Sequence, residues 1–186
     1  MGNNINRLLE CLAKTGVCQT GKRYLNGTNK DLETLIKVWR GWPEYWYEHS
    51  EATIKLLRMF LTDQDKKTLA ENFLFVDFFG EFRLNREFSE PIFIVGSSNV
   101  VINMPAYMVG KSYLFNEAKA MFNVSENAIF NIETFDTSHI EINNPQGKCT
   151  IYRYDQSIVS GTARVIDKEY IRGNVFNGKE FQPKTF

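Results

Sequence analysis

The chain has 186 residues, of which 22 are basic and 22 acidic, so its formal net charge is zero. This balance argues against binding to duplex nucleic acid, which needs a basic surface, and against an acidic mimic of nucleic acid. No apolar run approaches the ~20 residues that span a bilayer, and residues 1–7 lack an apolar signal region. We therefore expect a cytoplasmic protein that does not enter a membrane.

The cysteines and histidines give no support for a metal site. The three cysteines are Cys11, Cys18 and Cys149, and the two histidines are His49 and His139. An odd number of cysteines without a regular framework is typical of reduced thiols in the cytosol. We expect no disulfide, no metal and no cofactor.

The first half of the chain has the pattern of helices. Ile5, Leu8, Leu9 and Leu12 have the spacing of one helix face, with Asn4 as the predicted N-cap. A short turn or helix is predicted around Lys22 to Leu25, and a helix over Leu32 to Trp39 closes at Gly41. Pro43 suits the first turn of a further segment. Two more helices are predicted, one from Ser50 or Glu51 to Leu61 and one from Thr62 past Leu69 to about Phe82, which makes four or five in all. Residues 1–88 are thus predicted to form a helical region.

The pattern changes near Pro91, where runs of β-branched and aromatic residues begin. Ala120-Met-Phe-Asn-Val returns eight residues later as Ala128-Ile-Phe-Asn-Ile, and weaker copies follow. Repetition at a fixed step predicts units that stack on one another to bury an apolar face. We expect Phe122 and Phe130 to stack on adjacent layers. The predicted inward-facing residues are Ala120, Phe122, Val124, Ala128, Phe130, Ile132, Ile140 and Ile142.

These patterns predict an α+β fold in which an N-terminal helical region caps a short parallel β-solenoid (β-helix) with a C-terminal hairpin. The helical region covers residues 1–88 and the solenoid with its hairpin covers 89–186, and the two are expected to form one structural unit. Asn177-Gly178 within residues 175–181 supplies the turn of the hairpin.

The charged residues of the solenoid do not predict an active site. Its acids and bases are scattered rather than stacked at the repeat period, whereas an acid–base pair must be close in space. Asn123 and Asn131 occupy equivalent positions in the two clean repeats and are expected to face outward. We therefore expect no catalytic residues and no enzyme activity.

A cluster of aromatic residues is the best candidate for a binding site. It comprises Trp39, Arg40, Trp42, Tyr45, Trp46 and Tyr47. Pro43 breaks the helical period, so these rings cannot all face one core, and Trp, Tyr and Arg are enriched at binding hot spots. The alternative is that the rings pack the helices onto the end of the solenoid.

Two parts of the sequence resemble phage-borne proteins. The segment 8–18, followed by Tyr24 to Gly27 and the Trp-rich stretch 39–47, is similar to a helical module of uncharacterised bacterial and phage proteins. The repeat resembles the octad arrays of phage and prophage proteins. The resemblance implies a phage or mobile-element setting, in the cytoplasm of a host cell, and implies no activity.

These observations together predict a non-catalytic protein that interacts with a macromolecule, with another protein as its partner and an oligomeric state left open. One form is an inhibitor of a host defence system. The alternatives are a β-helix enzyme or binder directed at carbohydrate or nucleotide, and a structural component of a virion. An exposed aromatic cluster would favour the interaction protein, and stacked outward acids and bases would favour the enzyme.

Overall fold

A computed structural model describes residues 2–15, 22, 23, 25, 27, 31–143 and 146–169 of the chain. Four helices lie in the first part of the described residues, followed by strands alone. The helices are α1 Gly2–Lys14, α2 Leu32–Gly41, α3 Glu44–Phe60 and α4 Asp63–Glu71. None of these helices is both long enough and apolar enough to cross a membrane.

The predicted apolar face of α1 is confirmed, because Ile5, Leu8, Leu9 and Leu12 are all buried. The helix begins at Gly2, so Asn4 lies inside it and is not the N-cap. The N-cap of α2 is Asp31, whose carboxylate accepts a hydrogen bond of 2.8 Å from the backbone N of Thr34. This bond satisfies one of the unpaired N–H groups of the first turn, and it lowers the pKa of Asp31.

The break predicted between a segment opening at Pro43 and a helix from Ser50 is present as a kink. Helix α3 begins at Glu44, directly after Pro43, and His49 has non-helical φ and ψ, so the helix predicted from Ser50 is the second part of α3. One predicted helix boundary is wrong. Thr62 caps α4 through a reciprocal capping box with Asp65, but the helix ends at Glu71 and does not reach Phe82. Because residues 74–76 and 79–83 are strands, the solenoid begins well before the predicted boundary at 88/89.

The second part of the described chain is the predicted parallel β-solenoid. Its strands are β1 Leu74–Val76, β2 Phe79–Arg83, β3 Ile92–Val95, β4 Asn99–Met104, β5 Val109–Leu114, β6 Lys119–Val124, β7 Ile129–Thr134, β8 His139–Asn143, β9 Lys148–Arg153, β10 Ile158–Gly161 and β11 Arg164–Asp167. The odd strands form a six-stranded sheet, here sheet A, and the even strands form a five-stranded sheet, here sheet B. All strand pairs within both sheets are parallel.

The repeat has a step of 20 residues rather than eight. In sheet B, Phe122 pairs in register with Ile102 on one side and with Ile142 on the other. Phe130 belongs to sheet A, where its register partners are Gly110 and Cys149. The prediction that Phe122 and Phe130 stack on adjacent layers is therefore wrong. The two rings belong to successive strands of opposite sheets, with their centroids 5.2 Å apart.

The predicted inward direction of the repeat residues is correct. All eight of them are buried: Ala120, Phe122, Val124, Ala128, Phe130, Ile132, Ile140 and Ile142. Successive side chains of a strand point to opposite faces. The choice of inward-facing residues therefore does not depend on which strands pair with each other. Ala120 and Ala128 do not share a column, since Ala120 pairs with Val100 and Ile140 while Ala128 lies in a turn before β7.

The turns that lead from sheet A to sheet B share a residue in the left-handed conformation. The five positions, here the left-handed column, are Asp77, Gly96, Asn116, Asp136 and Asp155. Glycine, asparagine and aspartate are the residues that tolerate a positive φ best. The backbone N–H of Asn116 donates to Asp136 (2.8 Å), and that of Asp136 donates to Asp155 (3.1 Å). In these two steps, a carboxylate in the turn of one coil accepts the backbone N–H of the equivalent turn residue in the preceding coil.

The described chain divides into two units, the first ending at Asn72 and the second beginning at Phe73. The helical unit and the solenoid are each compact by themselves. The expected capping of the solenoid by the helices stays a prediction, and the predicted hairpin at 175–181 lies outside the described residues.

Candidate functional site

The aromatic cluster predicted as a binding site is mostly packed inside the helical unit. Trp39 and Trp46 are fully buried and contact each other edge to face, with centroids 5.0 Å apart, and Tyr45 is also buried. Arg40 is half-buried and donates to the backbone oxygen of Asn72 (2.9 Å). Only Arg40, Trp42 and Tyr47 keep partly exposed surface, so a partner could touch these three alone without opening the unit.

Among the described residues, Cys149, His139 and His49 lie on three different elements and do not form a catalytic group. Burial raises the pKa of the Cys149 thiol to about 12, which keeps it protonated and unreactive. His139 lies 3.3 Å from the hydroxyl of Ser160, as a pair on neighbouring strands. Burial lowers the pKa of His49.

Three acids of the solenoid, Glu133, Asp136 and Asp155, contact residues of a neighbouring coil. Lys111 Nζ lies 2.7 Å from Glu133 Oε1 and 4.5 Å from the centre of the Tyr113 ring. Burial opposes the charge of Lys111, but its hydrogen bonds to Glu133 and Tyr113 raise its pKa overall. Asp136 and Asp155 accept backbone hydrogen bonds in the left-handed column. Within the described residues, no group of three or more His, Cys, Asp or Glu could hold a metal ion.

A groove lies over three neighbouring strands of sheet B and has a volume of about 650 Å³. Its lining, here the sheet B groove, comprises Glu81, Phe82, Arg83, Asn103, Met104, Pro105, Asn123 and Ser125. Arg83, Asn103 and Asn123 are register partners on β2, β4 and β6 and therefore stand in one column. The parallel register of a 20-residue coil is what brings these distant residues together.

A chain of side-chain hydrogen bonds orders the polar wall of the groove. Asn123 Nδ2 donates to Asn103 Oδ1 (2.6 Å), and Asn103 Nδ2 donates to Glu81 Oε1 (2.7 Å). These bonds fix the orientation of both amides. Asn123 was predicted to face outward, and it does, but it aligns with Asn103 rather than with Asn131, which lies in sheet A.

A second exposed feature lies along the turns that lead from sheet B to sheet A. It consists of Tyr107, Val109 and Ile129 together with Arg86, here the edge patch. Tyr107, Val109 and Ile129 are 69%, 65% and 44% exposed, and Val109 and Ile129 are register partners on β5 and β7. The guanidinium carbon of Arg86 lies 6.0 Å from the centre of the Tyr107 ring. The patch is apolar with a cation beside its aromatic ring.

No family model matches the chain, and no curated protein or solved structure matches it. The sheet B groove and the edge patch are the features of the described residues that bear on function.

The sequence held a signal for the groove that the predictions did not use. Asparagine recurs at 103, 123 and 143, a step of 20 residues that matches the coil. The eight-residue comparison instead paired Asn123 with Asn131, and so separated the residues that meet in space. The sequence does not mark the edge patch in the same way. Val109 and Ile129 are exposed because each is the first residue of its strand, and the strand boundaries are known only from the structure.

Proposed function

We propose that this is a non-catalytic binding protein that recognises another protein through the edge patch. The observation that carries the proposal is the contiguous exposure of Tyr107, Val109 and Ile129. Large apolar side chains that cluster in solvent mark interaction surfaces, whereas single ones are common on any protein.

The surroundings of the patch fit a protein interface. Tyr and Arg are the residues enriched at hot spots, and here Arg86 lies over the face of Tyr107. Lys148 is exposed and is the register partner of Ile129, so a charged residue lies beside the apolar centre. An apolar centre with a polar rim is the usual layout of a protein–protein contact.

The setting we propose follows from the resemblance of the sequence to phage and prophage proteins. In that setting the protein is an inhibitor of a host defence system, acting in the cytoplasm of the host cell. A structural role in a virion is the alternative. An enzyme is less well supported, because Glu133, Asp136 and Asp155 all take part in contacts between coils.

Site-specific crosslinking tests the proposed surface. A photoreactive p-benzoylphenylalanine replaces Val109 in the full chain, which is expressed in its source cells, irradiated and analysed by mass spectrometry. We expect a defined protein adduct from position 109. The same probe at Trp42, which is half-buried in the helical unit, should give no adduct. An adduct from position 42 and none from 109 would move the partner to the helical unit and refute the proposal.

The purified partner then allows a matched comparison of affinities. Ile129→Asp should weaken binding by about tenfold or more, since it places a charge in an apolar contact. Ile158→Asp is the control, because Ile158 is 55% exposed but lies on sheet B, away from the patch. Equal losses of affinity in the two variants would show that the patch is not the interface.

A further inference from the structure

The sheet B groove has the chemistry of a site for a neutral, hydroxyl-rich ligand. Its two charged residues are Glu81 and Arg83, one acid and one base, so its formal charge is zero. A strongly anionic ligand would meet the carboxylate of Glu81, and a cationic one would meet the guanidinium of Arg83. Neutral ligands avoid both repulsions.

The hydrogen-bond chain of the groove leaves both acceptors and a donor for a ligand. The amide of Asn103 is used on both sides, since it accepts from Asn123 and donates to Glu81. This arrangement leaves the carbonyl oxygen of Asn123 and the second oxygen of Glu81 as acceptors, with Arg83 as a donor. Hydroxyl groups both donate and accept, so a ligand with neighbouring hydroxyls can use such a wall fully.

Apart from Ser125, the rest of the lining is apolar. Met104 is buried, so Pro105 and the half-buried Phe82 supply the accessible carbon surface beside the polar column. The volume of about 650 Å³ lies within the ~300–1,000 Å³ that is usual for ligand sites. A sugar ring offers both kinds of surface, because its hydroxyls lie around the ring and its C–H groups lie on the faces.

We propose that the sheet B groove binds a neutral oligosaccharide, with Asn123, Glu81 and Arg83 contacting its hydroxyls and Pro105 and the exposed part of Phe82 contacting its C–H surface. This site is separate from the edge patch and does not depend on the proposed protein partner. The saccharide lies across the strands, along the column that Arg83, Asn103 and Asn123 form.

Saturation-transfer NMR on the full chain tests the proposal with defined probes. The neutral trisaccharides are cellotriose, N,N′,N″-triacetylchitotriose and maltotriose, and the charged comparison is tri-galacturonate. We expect transfer to at least one neutral trisaccharide and a weaker signal from tri-galacturonate. No transfer to any neutral probe, or a stronger signal from the charged one, would overturn the proposal.

Three variants place the binding in the groove. Asn123→Leu breaks the hydrogen-bond chain, and Ser125→Trp fills the groove while leaving that chain intact. Each should weaken binding of the active trisaccharide by about tenfold or more. Asn143→Leu is the matched control, since Asn143 continues the same column on β8, is exposed and does not line the groove. Equal binding by all three variants would place the sugar elsewhere and refute the site.

The two proposals fail separately. Ile129→Asp should leave trisaccharide binding unchanged, because Ile129 lies outside the groove. If Asn123→Leu and Ser125→Trp abolish the protein adduct at position 109 while no sugar binds, the groove is part of the protein interface and the saccharide proposal is wrong.

Discussion

Single residues decide how tightly adjacent coils of the solenoid pack. A Cβ atom placed on Gly110 would lie 2.6 Å from Cε2 of Phe130, the register partner of Gly110 on the next coil. The ring of Phe130 thus occupies the space that a side chain would need. A small residue opposite a large one fills the core without voids.

We predict that Gly110→Ala destabilises the protein by about 1–3 kcal/mol, because the added methyl group overpacks the core against Phe130. Urea unfolding measures this change. Gly41→Ala is the control, since nothing lies within 4 Å of a Cβ at that position. Combining Gly110→Ala with Phe130→Leu should recover part of the loss in a double-mutant cycle. A neutral Gly110→Ala variant would mean that the ring of Phe130 lies elsewhere.

The burial of individual side chains could be predicted from the sequence in the solenoid but not in the helical unit. Alternation of apolar residues indicated correctly that Phe122, Phe130 and Ile140 face inward, because every strand has the same two-residue period. The burial of Trp39, Tyr45 and Trp46 was not predictable from their spacing. Whether a ring faces a core depends on which helices pack against it, and that contact is set by the tertiary structure.

At the scale of elements, the turns carry the true period of the fold. The left-handed column falls at 77, 96, 116, 136 and 155, with steps of 19 or 20 residues. This spacing is visible in the sequence, but Gly96 interrupts the row of Asn and Asp residues, so the eight-residue match between two strands is the more obvious repeat. The strands therefore indicated a solenoid, whereas the turns were needed to set its register.

Asn116 tests the contribution of the left-handed column. Its side-chain oxygen accepts a hydrogen bond from the backbone N of Gly96 (3.2 Å), and its φ is 63°. We predict that Asn116→Gly costs about 1 kcal/mol of stability through the lost hydrogen bond. Asn116→Ala should cost about 2–3 kcal/mol, since alanine also resists the left-handed conformation. Chemical denaturation measures the free energy of unfolding of both variants. Equal losses of stability in the two variants would contradict a left-handed conformation that alanine resists.

At the scale of the whole molecule, each coil of the solenoid contacts only the coils next to it. The geometry of the aromatic contacts differs between the first coil and the later coils. In the first coil, Phe73 contacts Phe75 and Phe82 edge to face, and the rings of Phe75 and Phe82 are tilted against each other. Phe115, Phe135 and Tyr154 instead stack nearly parallel on successive coils, with centroids 4.8 and 4.3 Å apart. In such a chain, stability is close to a sum of terms for each coil and for each contact between neighbouring coils.

Because each coil contacts only its neighbours, a destabilising substitution in the first coil should raise hydrogen exchange most in the coils nearest to it. Phe75 is fully buried in β1, and Phe75→Ala should cost about 3–5 kcal/mol. Because that loss acts mainly on the first coils, hydrogen exchange should rise steeply in β1 to β4 and far less in β7 and β9. Mass spectrometry of the exchanged peptides measures the gradient. A uniform rise across all strands would mean that the solenoid unfolds as one cooperative unit, and that the groove on β2, β4 and β6 is no more mobile than the rest.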